Sequence, residues 1–426
     1  MSRPLPQDPP VPQDPPGPRA RVRPRTLVAL AVCLALLAAG VYAGVRWAQA
    51  RQGTVTLLAS WTGREATEFE ERVIEDFEDA YDIDVVYQGS SALSQVLAAD
   101  IAAGNPPDVV VVPGPGELLT YAGDGRLRPL DGLFDAMRYD EMWAPRVPGE
   151  RGALHTYWLP VKTSLKSMVW YTGDKPAAAS ADTPGRWCLG LEDGAASGWP
   201  GTDWVEDILL QQAGPERYED WVNGTLGWTH DDVREAWRTW GETVGAGDRE
   251  RAAKLLTTGF AEDCADTGRL EHQGSFRADH WRAAGGDYVH SAQVIPGAGP
   301  EAGAWEVSGD LAALLTDNPD ARQLIRHLAD PATDLPDHSV NRAATENPGA
   351  DTIEARIAGT LREDGPTRCW DASDAMPRTL RDAFHQAVLR HLVEPEALDE
   401  QLRHLQELSV EQRLPVCGGD GRAGEG

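Results

Sequence analysis

The chain lacks the short motifs that announce common catalytic sites. No GK dipeptide occurs in its 426 residues, so there is no phosphate-cradling P-loop. There is no G-x-S-x-G nucleophile elbow and no H-E-x-x-H pair of metal-binding histidines. No C-x-x-C occurs either, which argues against zinc. His272 and His280 lie eight apart with Asp279 between them, which matches no standard ligand spacing. Glu192 and Asp193 could form a glycosidase pair, but adjacent acids in so acidic a chain read first as a solvated face. No enzyme, metal or cofactor is therefore expected. Positive charge is also scarce: 39 Lys and Arg face 67 Asp and Glu, for a net charge of −28. Such a surface repels nucleic acid and anionic ligands, and leaves neutral molecules as partners.

What is present begins with a strongly biased N-terminus. Residues 1–25 are dominated by proline and arginine and cannot bury a core, so they read as disordered. Residues 26–45, "TLVALAVCLALLAAGVYAGV", carry no charge. Twenty such residues make a helix of about 30 Å, enough to span a bilayer. Arg19, Arg21, Arg23 and Arg25 precede it and predict a cytoplasmic N-terminus with the rest of the chain exported. An uncleaved single-pass anchor is the first reading; cleavage after Ala50 in "AQA" is the second. Cys33 as a lipoprotein cysteine fits poorly, because apolar chain continues beyond it. The remaining cysteines are Cys188, Cys264, Cys369 and Cys417. An even count in an exported chain permits two disulfides, with three connectivities that spacing does not decide. Order and segment favour Cys188–Cys264 and Cys369–Cys417.

Past residue 53 the pattern alternates. "TVTLLASW" reads as a buried strand, followed by a helix with Phe69, Val73, Phe77 and Tyr81 at four-residue steps. "IDVVYQGS" is a second strand, and Leu93, Val96, Leu97 and Ile101 mark a second helix. "PPDVVVVPG" is a third strand. This β-α-β-α-β order predicts a parallel sheet, whose ligands bind beyond the carboxyl ends of the strands. Those ends are residues 60–63, 88–91 and 113–117. A further strand is predicted over 156–171, with helices at 204–213, 231–243, 319–329, 351–362, 377–392 and 396–408. "VIPGAG" and "WEVSGDLAALL" read as later sheet material, and the last residues as a loose tail.

Aromatic usage is lopsided: fifteen Trp against nine Tyr and six Phe. Aromatic faces pack on the apolar faces of sugar rings, while carboxylates and amides take the hydroxyls. Trp237 and Trp240 sit three apart on a predicted helix and read as core. Trp61, Trp199 and Trp305 lie in predicted loops or at strand ends, where ligand contact and core are both open. Asp203 and Glu206 have capping-box-like spacing, so Asp203 could cap a helix from Trp204, contact ligand, or do both.

Six blocks occur in order: "SWTGREATEFEERVIEDFEDAYDIDVVYQGS", "AAGNPPDVVVVPGPGEL", "LPVKTSLKSMVWY", "WCLGLEDGAASGWPGTDWVEDILLQQAG", "EHQGSF" and "DASDAMP". Over residues 54–392 the chain resembles bacterial extracellular solute-binding proteins of the carbohydrate type, especially the α-glucoside-binding branch. These are receptors of ATP-binding-cassette importers. The resemblance implies an α/β, two-lobed periplasmic-binding-protein-like fold of type II, mostly parallel sheets flanked by helices, here preceded by one transmembrane helix. It implies residues 54–162 and 306–335 as the first lobe, 163–305 and 336–415 as the second, and 416–426 as a flexible tail. A di- or oligosaccharide is the expected ligand, permease subunits the expected partners, and a monomer at the outer face of the cell membrane the expected form. With the strand-end rule, the resemblance places Trp61, Ser90 and Asp310 across a groove from Trp199, Trp204 and Trp305, with Asp203 and Gln273 nearby. Ser90 has a second reading, as the terminator of its strand, and Trp305 as core. Segments 172–186 and the stretch after "IRHLADP" are shorter than is usual in the family. That keeps open a sensory or regulatory ectodomain with the same fold and a degenerate pocket.

Overall fold

A computed structural model describes residues 53–176, 184–262, 264, 268–344, 352–362 and 365–419. The span predicted at 26–45 lies outside them. Among the described residues no helix is long and apolar enough to cross a membrane.

The first strands follow the expected alternation. β1 (Thr54–Ala59), β2 (Asp84–Gly89) and β3 (Val109–Pro113) are joined by helices, and β1 pairs in parallel with both neighbours. Val109 to Val112 are fully buried, as a strand covered on both faces requires. The helix after β1 runs as Gly63–Phe69 and Glu75–Tyr81, joined by a π-helical turn at Glu70–Ile74. Its Phe69, Val73 and Phe77 are buried, while Tyr81 is exposed.

β4 (Val147–Pro148) and β5 (Leu154–His155) form a small hairpin. The single strand expected over 156–171 is two strands in two sheets. β6 (Trp158–Leu165) pairs with the first sheet and β7 (Met168–Tyr171) with a second one. The break falls at Lys166 and Ser167, two polar residues that are both buried. The Ser167 hydroxyl donates to Asp207 Oδ1 (2.8 Å) and accepts from the Glu306 amide (2.8 Å). A buried polar residue must find such partners, and finding them here pulls the chain out of ladder geometry.

The second sheet has the order β10 (Asp287–His290), β7, β9 (Leu270–His272), β8 (Trp187–Cys188). "VIPGAG" is not part of it; the strand lies just upstream, and a 3-10 turn at Ser291–Gln293 follows it. β11 (Trp305–Leu314) returns to the first sheet. It runs antiparallel to β3 and to β6, and parallel to β12 (Arg368–Trp370). β13 (Cys417–Gly418) pairs with β12. Residues 368–370 and 417–418 therefore belong to the first sheet, not to the second lobe and a loose tail. Their register puts Cys369 opposite Cys417, and these two are disulfide-bonded. Cys188 is bonded to Cys264.

The helix expected at 204–213 begins five residues earlier and spans Trp199–Ala213. Gly198 caps it with φ of 110°, and a Cβ there would lie 2.5 Å from the His385 carbonyl oxygen, so only glycine fits. Pro200 sits in its first turn, where no intrahelical N–H is needed. Asp203 is therefore inside the helix and does not cap it.

The helix Asp231–Val244 buries Trp237 and Trp240 against Phe384 and His391. Trp237→Ala should lower unfolding free energy by about 3–5 kcal/mol, the range for emptying a fully buried large side chain. Chemical denaturation monitored by circular dichroism measures it.

Candidate functional site

The chain crosses between sheets at the end of β6, and two lysines mark that crossing. Lys162 lies within β6 and Lys166 just beyond it. Four residues of extended chain separate them by about 13 Å. Each ammonium lies over one tryptophan: Lys162 Nζ is 5.8 Å from the Trp61 ring centroid and Lys166 Nζ is 5.0 Å from that of Trp199. These are cation–π distances.

At the Lys162 end, Trp61 follows β1 and is 3% exposed. Its indole N–H donates to Asp310 Oδ2 at 3.0 Å, and its ring packs on Phe69 at 4.8 Å. Lys162 reaches Glu65 and, at 3.0 Å, Asp337. Asp310 sits where the β6–β11 register slips, which turns it towards this cluster. Burial pushes its carboxyl up to about 6, the Lys162 ammonium pulling back and Glu65 pushing further.

At the Lys166 end, Trp199 is half-buried, and its N–H donates to Asp193 Oδ2 at 2.8 Å. Phe260 and Phe276, also half-buried, stand edge-on to it at 5.2 and 6.0 Å. Three partly exposed rings thus meet beside a carboxylate.

Between the two ends runs a buried polar network. Lys166 donates to Asp203 Oδ2 (2.7 Å) and Asp371 Oδ2 (2.8 Å). Burial opposes the charge on Lys166, but the two carboxylates outweigh it and hold the amine protonated well past its ordinary range. Burial likewise opposes ionisation of Asp371, yet Lys166 and neighbouring hydrogen bonds hold that carboxyl below its usual range. Glu206 Oε2 accepts from the amides of Ala372 (2.5 Å) and Ser373 (3.2 Å). Asp374 is pushed up to about 7 by burial and by Asp371, and Asp310 adds to the effect. Behind it, Asp207 is held by His272 Nε2 (2.7 Å) and by Gln211 (2.8 Å). His272 is thus a partner of Asp207 and makes no pair with His280.

The expected site residues divide accordingly. Trp61, Asp310, Trp199 and Asp203 all join this arrangement. Ser90 does not: its amide donates to Ala59 O (2.9 Å) and its hydroxyl accepts from the Ala92 amide (3.2 Å), so it ends its strand. Trp204 is 1% exposed and packs against Trp187 (4.5 Å) and His272 (4.4 Å), a core position. Helical periodicity explains this, because Trp199 and Trp204 are five apart and so fall on different sides of their helix. Trp305 packs on His290 at 4.1 Å and starts β11 five residues before Asp310, about 17 Å away along the strand. Gln273 is buried and accepts from Trp170 Nε1 through its backbone oxygen (2.8 Å).

Sequence reasoning missed Lys162, Lys166, Asp371, Asp374, Phe260 and Phe276. The lysines carried a usable signal, since two charges within the apolar run "LPVKTSLKSMVWY" demand buried partners. Asp371, Asp374 and Phe276 stood within the blocks "DASDAMP" and "EHQGSF" but were not singled out there, and Phe260 carried no local signal.

Two tryptophans, two lysines and a buried carboxylate network thus mark the place where the chain crosses from the first sheet to the second. Residues 60–262 match the family described as bacterial extracellular solute-binding protein. The chain is 30% identical over 306 residues, 65% of its length and 72% of the relative's, to the osmoprotective compounds-binding protein GgtB of Synechocystis sp.. It is 30% identical over 213 residues to the alpha-glucosides-binding periplasmic protein AglE of Rhizobium meliloti, covering 44% of this chain and 46% of that one. In fold it is similar to the bacterial solute receptor AcbH, described as preferring β-D-galactopyranose: TM-score 0.64, 13% identity, 84% of this chain and 98% of that one covered. The chain belongs to the bacterial extracellular solute-binding protein family and has its two-lobed fold. It is a binding protein and not an enzyme.

Lys166→Met should cost about 3–5 kcal/mol, because it strands Asp203 and Asp371 as unpaired buried charges. The loss should shrink at acid pH, where those carboxyls gain protons; denaturant melts at two pH values measure both effects. A second expectation concerns Asp310. Its folded carboxyl titrates near 6, above the roughly 3.9 of an unfolded chain. Between those values the folded state holds a proton that the unfolded state has lost, so this group's contribution to stability falls as pH rises. In Asp310→Asn that part of the slope should vanish, which thermal melts across the interval would register.

Proposed function

We propose that this chain captures a neutral di- or oligosaccharide between its lobes and delivers it to the permease subunits of an ATP-binding-cassette importer. In this reading it works as a monomer on the outer face of the cell membrane, held by the apolar segment 26–45. The observation that carries the reading is the cluster of Trp199, Phe260 and Phe276, half-buried and set beside the half-buried Asp193. Flat apolar rings suit the faces of pyranoses, and the neighbouring carboxylates suit their hydroxyls. The strongly acidic chain disfavours an anionic sugar. A relative named for binding alpha-glucosides supports the same class of ligand. Closure of the lobes around a sugar bridging both would be a population shift driven by that ligand.

A panel of neutral sugars screened by thermal shift tests the reading. At a hundred times its dissociation constant a bound sugar should add about 2.7 kcal/mol of stability. Trp199→Ala should weaken its binding by about 1 kcal/mol or more in titration calorimetry and leave the fold intact, since the ring is only half-buried. An unfolded Trp199→Ala variant, or a wild type that binds no neutral sugar, would contradict the proposal.

A further inference from the structure

Three carboxylates in the buried network come from separate segments. Asp203 lies in the helix Trp199–Ala213, Glu306 is the second residue of β11, and Asp371 caps the short helix Ala372–Ala375. One oxygen from each lies within 4.8 Å of the others. All three residues are buried, with exposures of 3%, 0% and 1%. The Lys166 ammonium occupies Oδ2 of Asp203 and Oδ2 of Asp371. Both oxygens of Glu306 and Oδ1 of Asp203 are buried without any partner.

That arrangement is out of balance in two ways. A fully buried carboxylate with neither oxygen paired is a configuration that folds avoid, because desolvation is uncompensated. The charges do not match either, since one ammonium faces these three carboxyls with Glu206 and Asp374 close by. Glu306 cannot turn away cheaply. Its amide donates to the Ser167 hydroxyl (2.8 Å), its carbonyl accepts from the Lys166 amide (2.8 Å), and its register with Cys369 is fixed by β12. The backbone therefore holds the side chain against Asp203 and Asp371.

We propose that Asp203, Glu306 and Asp371 form a binding site for a divalent cation of the calcium type, seated beside Lys166. A divalent ion beside the ammonium offsets the charge of these three carboxyls, and a monovalent ion offsets less. The donors are all oxygen, which selects hard cations over zinc or copper. Magnesium demands near-ideal octahedral geometry and keeps several waters, whereas calcium accepts irregular sets of carboxylates. Oδ1 of Asp203 and the Glu306 oxygens are available without displacing Lys166. An ion there ties the helix bearing Trp199 to β11 and to the 371–375 turn, and so fixes the base of the cleft. The site does not depend on which solute the cleft takes. No ligand spacing announces it in the sequence, because its members are about a hundred and sixty-eight residues apart at the extremes.

The test uses the full chain purified in detergent and stripped with EDTA. Calcium and magnesium are titrated back, with bound metal measured by elemental analysis and stability by thermal melts. Terbium serves as a luminescent probe, sensitised by the indole of Trp204 next to Asp203. Expected are about one equivalent of calcium per chain, a raised melting temperature reversed by EDTA, and terbium emission displaced by calcium. Glu306→Gln, which removes one charge at constant shape, should weaken calcium binding about tenfold or more with near-ultraviolet circular dichroism unchanged. If that variant does not fold, Asp203→Asn gives the same comparison, and the wild-type metal content decides by itself. A wild type that takes up no divalent ion, and whose melting temperature rises on acidification and ignores calcium, would overturn the proposal and assign protons to these carboxyls. Unchanged calcium affinity in folded Glu306→Gln would also overturn it.

Discussion

The Lys166 ammonium, bridging Asp203 and Asp371, is the contact around which the crossing between the two sheets is arranged. It stands where the chain leaves the first sheet for the second. A buried ammonium requires anions, and the anions it gathers come from a helix behind the second sheet and from the turn that follows β12. A buried ion pair of this kind adds little net stability compared with apolar packing. Its effect is positional. With Lys166 fixed, Asp203 fixes the helix, the helix fixes Trp199, and Trp199 sets the edges of Phe260 and Phe276.

The Lys162 end repeats the logic with looser burial. Lys162 draws Glu65 and Asp337 together, while Trp61 is fixed by Asp310. Each end of the crossing therefore holds a tryptophan, a lysine near its ring and a carboxylate on its indole N–H. The two ends differ in exposure: Trp61 is enclosed, whereas Trp199 and its neighbouring phenylalanines remain partly open. The proposed sugar would meet the open end.

Much of the first sheet was legible in the sequence, because its period is local. "DVVVVPG" can only be a strand covered on both faces, and Phe69, Val73 and Phe77 announce their helix by spacing. The later sheet was less legible. β12 and β13 are three and two residues long and exist because β11 offers an edge to pair with, which no local pattern encodes. The strand over 156–171 read as continuous because its residues are apolar on both sides of the break. Only the partners of Lys166 and Ser167, far away in sequence, show why it breaks. Of the candidate residues chosen from strand ends and family blocks, Trp61, Trp199, Asp203 and Asp310 lie at the crossing. Trp204 was misplaced because the helix starts at Trp199, which rotates it into the core. Phe260 and Phe276 were missed since each looks like an ordinary apolar residue until the fold brings both to Trp199.

The central claim is that a carbohydrate rests on the aromatic cluster at the Lys166 end of the crossing. A crystal structure of the protein grown with a binding sugar tests it most directly. The account predicts a pyranose in van der Waals contact with Trp199, with a hydroxyl bonded to the partly exposed Asp193. A sugar bound elsewhere, with Trp199, Phe260 and Phe276 closed upon one another and untouched by ligand, would contradict it.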